Sequence, residues 1–498
     1  MAFTTQTFLF IFFPICILVY YLAVLLQAKG LLSRVLEKCR VQDLAIIGLS
    51  SVFYLWACFD DIFRFAIYIF AIWFLGKGIE RSCNKKYYLV AECEGKPEKK
   101  KHISLALPVL LLSVAFAVFV LVRFKYTALL TQVWNYLFKD KVAAKSYLAP
   151  LGISFITFSA ISYLADIYKG KAKAGNFLDC ALYLLFFPKV ISGPIVLWRD
   201  FSEQIKLRKA SLDLISEGIT RIMVGFAKKL ILADTFGACI ASVSGAVDVP
   251  SAWGVALLYM LQIYYDFSGY SDIAIGLANV FGFRFHENFN FPYLSVSITE
   301  FWRRWHISLG TWFREYIYFP LGGSRRGKGR TIVNIAVVFL LTGIWHGAGW
   351  TYILWGLING VCNIIEKLIS DKAWYKKTPK ILKWICTMGV TFFCWELFRF
   401  SDISSCVQWL KTMLGMVEFA NIPYTWQYYF DTRMIVLMIV AILGATLFGL
   451  PKIQNTYQRM IQKSYGYAIR QIIIVVLFVI SVFFMVNSTY SPFIYFQY

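Results

Sequence analysis

Charge is what this sequence has least of. Asp, Glu, Lys and Arg make up 16% of its 498 residues, against 59% hydrophobic residues and a mean hydropathy of +0.61. A water-soluble chain of this length needs more charge than that to cover its surface, so a soluble globular enzyme is excluded. The apolar runs are continuous rather than short and alternating, which excludes a β-barrel and leaves an all-α polytopic membrane protein. Acid is scarcer than base, 28 residues against 50. The basic excess sits between apolar runs, as positive-inside topology requires, and not on a soluble domain that would bind nucleic acid. The eleven cysteines scatter in or beside apolar runs. None forms CxxC, so neither a disulfide framework nor a metal site is expected. No internal repeat is evident, which counts against an inverted-repeat transporter.

What is present gives a topology. "MAFTTQT" lacks a basic n-region, and the run from Phe8 to about Leu26 is long enough to span, so it reads as a retained first helix. Lys29, Arg34, Lys38 and Arg40 follow it, placing the N-terminus outside. Spans are expected near 43–58, 62–76 and 103–122, with the polar stretch 77–102 as a cytosolic loop and 124–146 external or interfacial. From 147 to 360 the apolar stretches "YLAPLGISFITF", "LLFFPKVISGPIVL" and "FSGYSDIAIGLANVFGF" are interrupted by Gly and Pro. Irregular backbone at membrane depth is tolerated only around protein or a water-filled cavity, so short broken helices around a tunnel or funnel are expected. Regular spans resume near 350–370, 381–399, 433–449 and 471–487, for a total of about eleven. One membrane domain results, with N-terminal spans in 1–146, a motif-bearing core in 147–365, C-terminal spans in 366–487 and an aromatic tail in 488–498. Lys452, Arg459, Lys463 and Arg470 precede the last span and no basic residue follows it, so the tail is expected outside.

Of the four histidines, His102 lies in the basic loop and His286 in a polar connection. His306, in "FWRRWHISLG", and His346, in "LLTGIWHGAGW", stand in apolar surroundings. A titratable group at membrane depth is costly and marks a functional site. No Asp, Glu, Cys or His stands at ligand spacing from His346, so a metal role is disfavoured. Around His306 stand Arg303, Arg304, Arg314, Arg325, Arg326, Lys328 and Arg330, against Glu300 and Glu315. Such a cluster either touches anionic lipid or receives a phosphate-bearing donor. Asp266 and Asp272, six apart in "YYDFSGYSD", read as a carboxylate pair or, rather, as carboxylates that orient neighbours such as this basic cluster.

The segments from "YYDFSGYSDIAIG" through "FWRRWHISLGTWFREYIYFPLGGSRRG" to "LLTGIWHGAGWTYILWG", with "LGISFITFSAISYLADIYKGK", "FFPKVISGPI" and "CWELFRF", resemble the membrane-bound O-acyltransferase family. Within that family they are most similar to the bacterial alginate O-acetyltransferase branch, which is related to the D-alanyl transfer proteins. The resemblance implies an acyltransferase with a tunnel across the bilayer. It places the family's invariant histidine on His346 and its second polar position on His306. It also implies acetyl-CoA as donor substrate with no bound cofactor, a cell-envelope polysaccharide as final acceptor, and an exported SGNH-type esterase-like partner. D-alanyl or other acyl transfer from a carrier-protein thioester is the alternative, and a channel or flippase the non-enzymatic one. A thioester is already activated, so the reaction needs mainly a base near neutral pH and tight positioning. Arg303, Arg304 and Arg314 are the expected donor-binding residues.

The tail "SPFIYFQY" resembles, as Phe493-x-x-Phe496-x-Tyr498, the acyl-accepting tyrosine motif of bacterial envelope acylation systems, the alternative being an interfacial aromatic anchor. Tyr498 is therefore expected to join His346 and His306 in catalysis as an acyl carrier.

Overall fold

A computed structural model describes residues 2–29, 40–57, 59, 62–84, 87–89, 101–103, 105–139, 142–143, 147, 149–209, 211–243, 247–417, 422 and 424–487. Among them, eight helices are long and apolar enough to cross a membrane: Phe8–Ala28, Ile62–Cys83, Ala106–Lys125, Lys328–His346, Trp350–Ile369, Lys380–Arg399, Thr432–Gly449 and Ser464–Asn487. Val41–Ala57 and Ile153–Tyr168 are shorter apolar helices. The polar stretch read as a loop from residue 77 begins as helix instead. Ile62–Asn84 is continuous, helped by an i,i+3 pair of Lys77 with Glu80 at 3.0 Å. Beyond it Tyr87–Leu89 pairs antiparallel with Lys101–Ile103. Thr127–Phe138 has no buried residue and exposes Leu130, Trp134 and Leu137 at helical spacing, the pattern of a helix lying in the membrane interface.

The chain folds as two compact units. The first joins Thr7–Ser211 to Phe281–Arg284. Its core is aromatic: the Phe283 ring lies 4.7 Å from Phe201 and 4.9 Å from Phe186, with the Arg208 guanidinium 4.5 Å above it and paired to Asp43. Gly152 starts Ile153–Tyr168 at φ +70°, where a Cβ would stand 2.4 Å from the Val190 carbonyl oxygen. Only glycine satisfies both conditions.

The second unit comprises Ala2–Gln6, Leu212–Val280 and the described residues from Phe285 on. Its spine is Val249–Val280, an unbroken helix of 32 residues. "FSGYSDIAIGLANV", read from the sequence as broken, lies inside it. The glycines there permit close packing rather than interruption. A Cβ on Gly225 would lie 2.6 Å from the Gly269 carbonyl oxygen, and one on Gly276 2.5 Å from that of Gly218. Both helices thus meet antiparallel at glycines seven residues apart, backbone against backbone. The same pair is fastened by ions. Leu212–Phe226 continues into a π-helical turn, Ala227–Ala233, which presents two successive lysines. Lys228 meets Asp272 at 2.7 Å; Lys229, buried, meets Asp266 at 2.7 Å and Asp234 at 2.6 Å. Arg221 holds Asp272 at 2.9 Å. Asp266 and Asp272 therefore orient cations as expected, but cations of the neighbouring helix rather than of the 303–330 cluster. The short, broken helices appear further on, as Ile298–Arg304, Ile307–Phe313 and a π-helical turn Arg314–Tyr318.

Candidate active site

Ile298–Arg304 and Ile307–Phe313 are separate helices because His306 between them adopts φ +45°, ψ +53°. A left-handed conformation costs a non-glycine residue about 1–3 kcal/mol, so its surroundings must hold it. Two backbone bonds do so: the Ile307 N–H donates to the Asn288 carbonyl at 3.0 Å, and the Asn290 N–H to that of Arg304 at 2.9 Å. The start of the first helix is capped by Ser297, whose Oγ accepts the Glu300 N–H at 3.0 Å, and by Glu366, which accepts the Ile298 N–H at 2.6 Å.

The His306 ring is 1% exposed, lies edge-on to Phe267 at 4.7 Å, and has Nδ1 3.0 Å from Asn288 Oδ1. His306 belongs to none of the spanning helices. Burial pushes the pKa of its imidazole well below the ordinary histidine value, so the ring is neutral. His346 is the last residue of Lys328–His346, where the partial negative charge of a helix end favours a cation. Three aromatic rings enclose it, Trp345 at 4.8 Å, Trp355 at 5.0 Å and Phe398 at 5.1 Å. "GIWHGAGW" permits this tight corner: a Cβ on Gly343 would strike the Tyr352 carbonyl oxygen at 2.5 Å, and one on Gly347 the Tyr352 ring at 2.3 Å. The Trp345 indole also lies 6.4 Å from His306, so one aromatic side chain contacts both histidines.

A cavity of about 420 Å³ adjoins His306, lined also by Arg303, Arg314, Tyr318, Phe339 and Thr342. That volume is in the usual range of small-molecule sites. Thr342 is one helical turn before His346. Arg303 and Arg314 have no carboxylate partner among the described residues; Arg314 donates to Thr311 Oγ1 at 3.3 Å. Arg304 is placed differently. It pairs with Glu300 at 2.8 Å and donates to the Asn290 carbonyl at 3.1 Å, and it does not line this cavity. Tyr498 lies outside the described residues. Among the described residues, no group of three His, Cys, Asp or Glu is placed to hold a metal ion.

The geometry is thus two histidines sharing a tryptophan, of which His306 lines a cavity bordered by arginines and His346 does not. The model of the membrane-bound O-acyltransferase family matches residues 103–400, which contain both histidines. The chain belongs to the membrane-bound O-acyltransferase family. Like other members of this O-acyltransferase family, it is a multi-pass membrane acyltransferase. It is 34% identical to the "Probable alginate O-acetylase AlgI" of Pseudomonas putida over the whole of both chains. It is 34% identical to the peptidoglycan O-acetyltransferase of Helicobacter pylori over 59% of this chain and 62% of that one. With the teichoic acid D-alanyltransferase of Bacillus subtilis it shares 32% identity over 50% of this chain and 68% of that one.

Sequence reading noted Trp345 only as a neighbour of His346 and passed over Asn288 and Phe398. An asparagine in "HENFN" has no acid–base chemistry to draw attention, and the aromatic residues were unremarkable in a chain that is 18% aromatic. Glu366 was also missed, since it caps a helix 68 residues away.

Proposed function

We propose that this acyltransferase moves acetyl groups from cytosolic acetyl-CoA across a bacterial plasma membrane for O-acetylation of an exported cell-envelope polysaccharide. The observation that carries this reading is the His306–Trp345–His346 arrangement, with His306 lining a cavity whose two arginines have no carboxylate partner among the described residues. Two full or partial relatives bearing O-acetylase names support acetyl as the group. The relative named a teichoic acid D-alanyltransferase supports D-alanyl as the alternative acyl group. In this reading the thioester arm enters the 420 Å³ cavity. Arg303 and Arg314 attract the donor's phosphates, for which the guanidinium fork is well shaped. His346 takes the acceptor's proton, and the helix end it occupies stabilises the charge gained. The dry aromatic enclosure keeps water from the thioester.

In this reading both termini lie outside, as the flanking basic residues suggest, and the first acceptor is Tyr498. Its phenol oxygen bonds the acetyl carbon, the carbon–sulfur bond breaks, and the thiol leaves with the proton that His346 collected. A thiol has a pKa near ~8.5 and a phenol near ~10, so the tyrosyl ester is less activated than the thioester and more than the sugar ester that ends the path. An exported SGNH-type partner then collects the acetyl group on a serine. Eleven residues follow Asn487, and at ~3.3 Å each they reach ~36 Å, enough to return to mid-bilayer depth.

Purified protein given radiolabelled acetyl-CoA is expected to release CoA and retain label that is lost in Tyr498→Phe, which keeps the ring and removes only the hydroxyl. Normal polymer acetylation in cells carrying Tyr498→Phe would eliminate the carrier role. Arg314→Glu, alone and with Arg303→Glu, is expected to raise the apparent KM for donor several-fold with little change in kcat. An unchanged KM in the double variant would leave these arginines to contacts with anionic lipid.

A further inference from the structure

Asn288 is buried at 1% exposure, and both its amide oxygen and its amide nitrogen have hydrogen-bond partners. Its Oδ1 lies 3.2 Å from the Ser308 backbone nitrogen and 2.9 Å from Ser308 Oγ; its Nδ2 donates to Ser271 Oγ at 3.1 Å. A backbone N–H can only donate, so the atom it meets is the amide oxygen and not the nitrogen. The same oxygen is 3.0 Å from His306 Nδ1. An amide oxygen cannot donate, so Nδ1 carries the hydrogen. A neutral imidazole has one ring hydrogen, and Nε2 therefore holds the lone pair. Nε2 is buried and has no hydrogen-bond partner among the described residues, in a ring that lines the 420 Å³ cavity. The backbone bonds between Asn288 and Ile307 and between Asn290 and Arg304 prevent the two side chains from drifting apart.

This assignment decides what His306 can recognise. A thioester carbonyl offers only lone pairs, so a lone pair on Nε2 repels it. What satisfies Nε2 is an N–H or O–H. In a pantetheine thioester, the polar hydrogen nearest the reacting carbonyl is the amide N–H two carbons from the sulfur. We propose that Asn288 is a positioning residue that fixes His306 as the Nδ1–H tautomer, so that Nε2 accepts this amide N–H and sets the donor arm in the cavity. The inference rests on the reading of the cavity as the donor's. It separates the work of the two histidines: His306 aligns the arm by its amide, and His346 is left to deal with the proton of the acceptor. The amide belongs to the pantetheine arm and not to the acyl group, so the same contact serves a CoA or a carrier-protein donor.

The test is a binding measurement, independent of turnover. The full chain in nanodiscs is titrated with an acetyl-pantetheine analogue whose sulfur is replaced by methylene, and with the same analogue methylated on that amide nitrogen. Wild-type protein is expected to bind the unmethylated analogue about tenfold more tightly, the worth of one buried hydrogen bond. Asn288→Leu is expected to reduce this ratio to near one. Asn288→Asp retains an acceptor for Nδ1–H and is expected to restore most of it, which a packing role for Asn288 would not do. Equal binding of both analogues by wild-type protein, or an unchanged ratio in Asn288→Leu, overturns the proposal. If Asn288→Leu does not fold, His306→Phe carries the same expectation of a ratio near one, and a preserved ratio there overturns it equally. Protein that discriminates between the analogues yet transfers nothing from acetyl-CoA would sustain this inference while refuting the proposed function.

Discussion

His346→Ala is expected to lower acyl transfer by about 100- to 10,000-fold, the range that a positioned general base contributes. The ring stands at a helix end that favours positive charge, and Trp345, Trp355 and Phe398 enclose it within 5.1 Å. The buried carboxylates of this unit are committed to cations, Asp266 and Asp272 to Lys229, Lys228 and Arg221, and Glu396 to Arg399. Alanine also leaves a space inside an aromatic enclosure, and large-to-small changes in a core cost about 2–5 kcal/mol. The measurement therefore pairs CoA release by purified protein with thermal unfolding of the same sample. His346→Gln, nearer in volume, should regain stability without regaining rate. Near-normal CoA release in either folded variant would remove His346 from the chemistry.

Gly225→Leu and Gly276→Leu are expected to have the largest effects on folding. The Cβ of either would meet a backbone carbonyl of the facing helix at 2.6 Å or less, and a backbone atom cannot swing aside as a side-chain tip can. Overpacking typically costs about 1–3 kcal/mol, and a leucine at these positions must separate two helices along their whole contact. The separation would also pull Lys228 and Lys229 away from Asp272 and Asp266, leaving buried charges unpaired, which costs about 3–5 kcal/mol when one partner is lost. Ser271, on the same helix, holds Asn288, so transfer should fall in whatever protein still folds. The control is Gly389→Ala on Lys380–Arg399, where a Cβ meets nothing within 4 Å. There alanine should stabilise by about 0.5–1 kcal/mol through helix propensity. Unfolding midpoints in detergent and yield in the membrane fraction compare the three. A Gly225→Leu protein as stable as wild type would mean that the helices do not meet as described.

What the sequence determined by itself was the solvent of the protein and the residues able to titrate in it. Long apolar runs and scarce charge require membrane helices, because only intrahelical bonds satisfy a backbone in lipid. His306 and His346 were conspicuous for the same reason, as ionisable groups in apolar sequence. Long motifs located the family before any geometry was known. Tertiary structure decided the rest. Glycine in "FSGYSDIAIG" is compatible with a break or with a close helix contact, and only the facing carbonyls of Gly225 and Gly218 distinguish them. Arg303, Arg304 and Arg314 are alike in sequence, yet Glu300 and the Asn290 carbonyl occupy Arg304 while the other two line a cavity. Asn288 acquires its place from Ser308 and Ser271, residues 20 and 17 positions away, and through them sets which nitrogen of His306 carries the hydrogen. Composition and periodicity report how a side chain meets its solvent. Hydrogen-bond direction depends on which atoms meet across the fold, and a linear pattern does not carry that information.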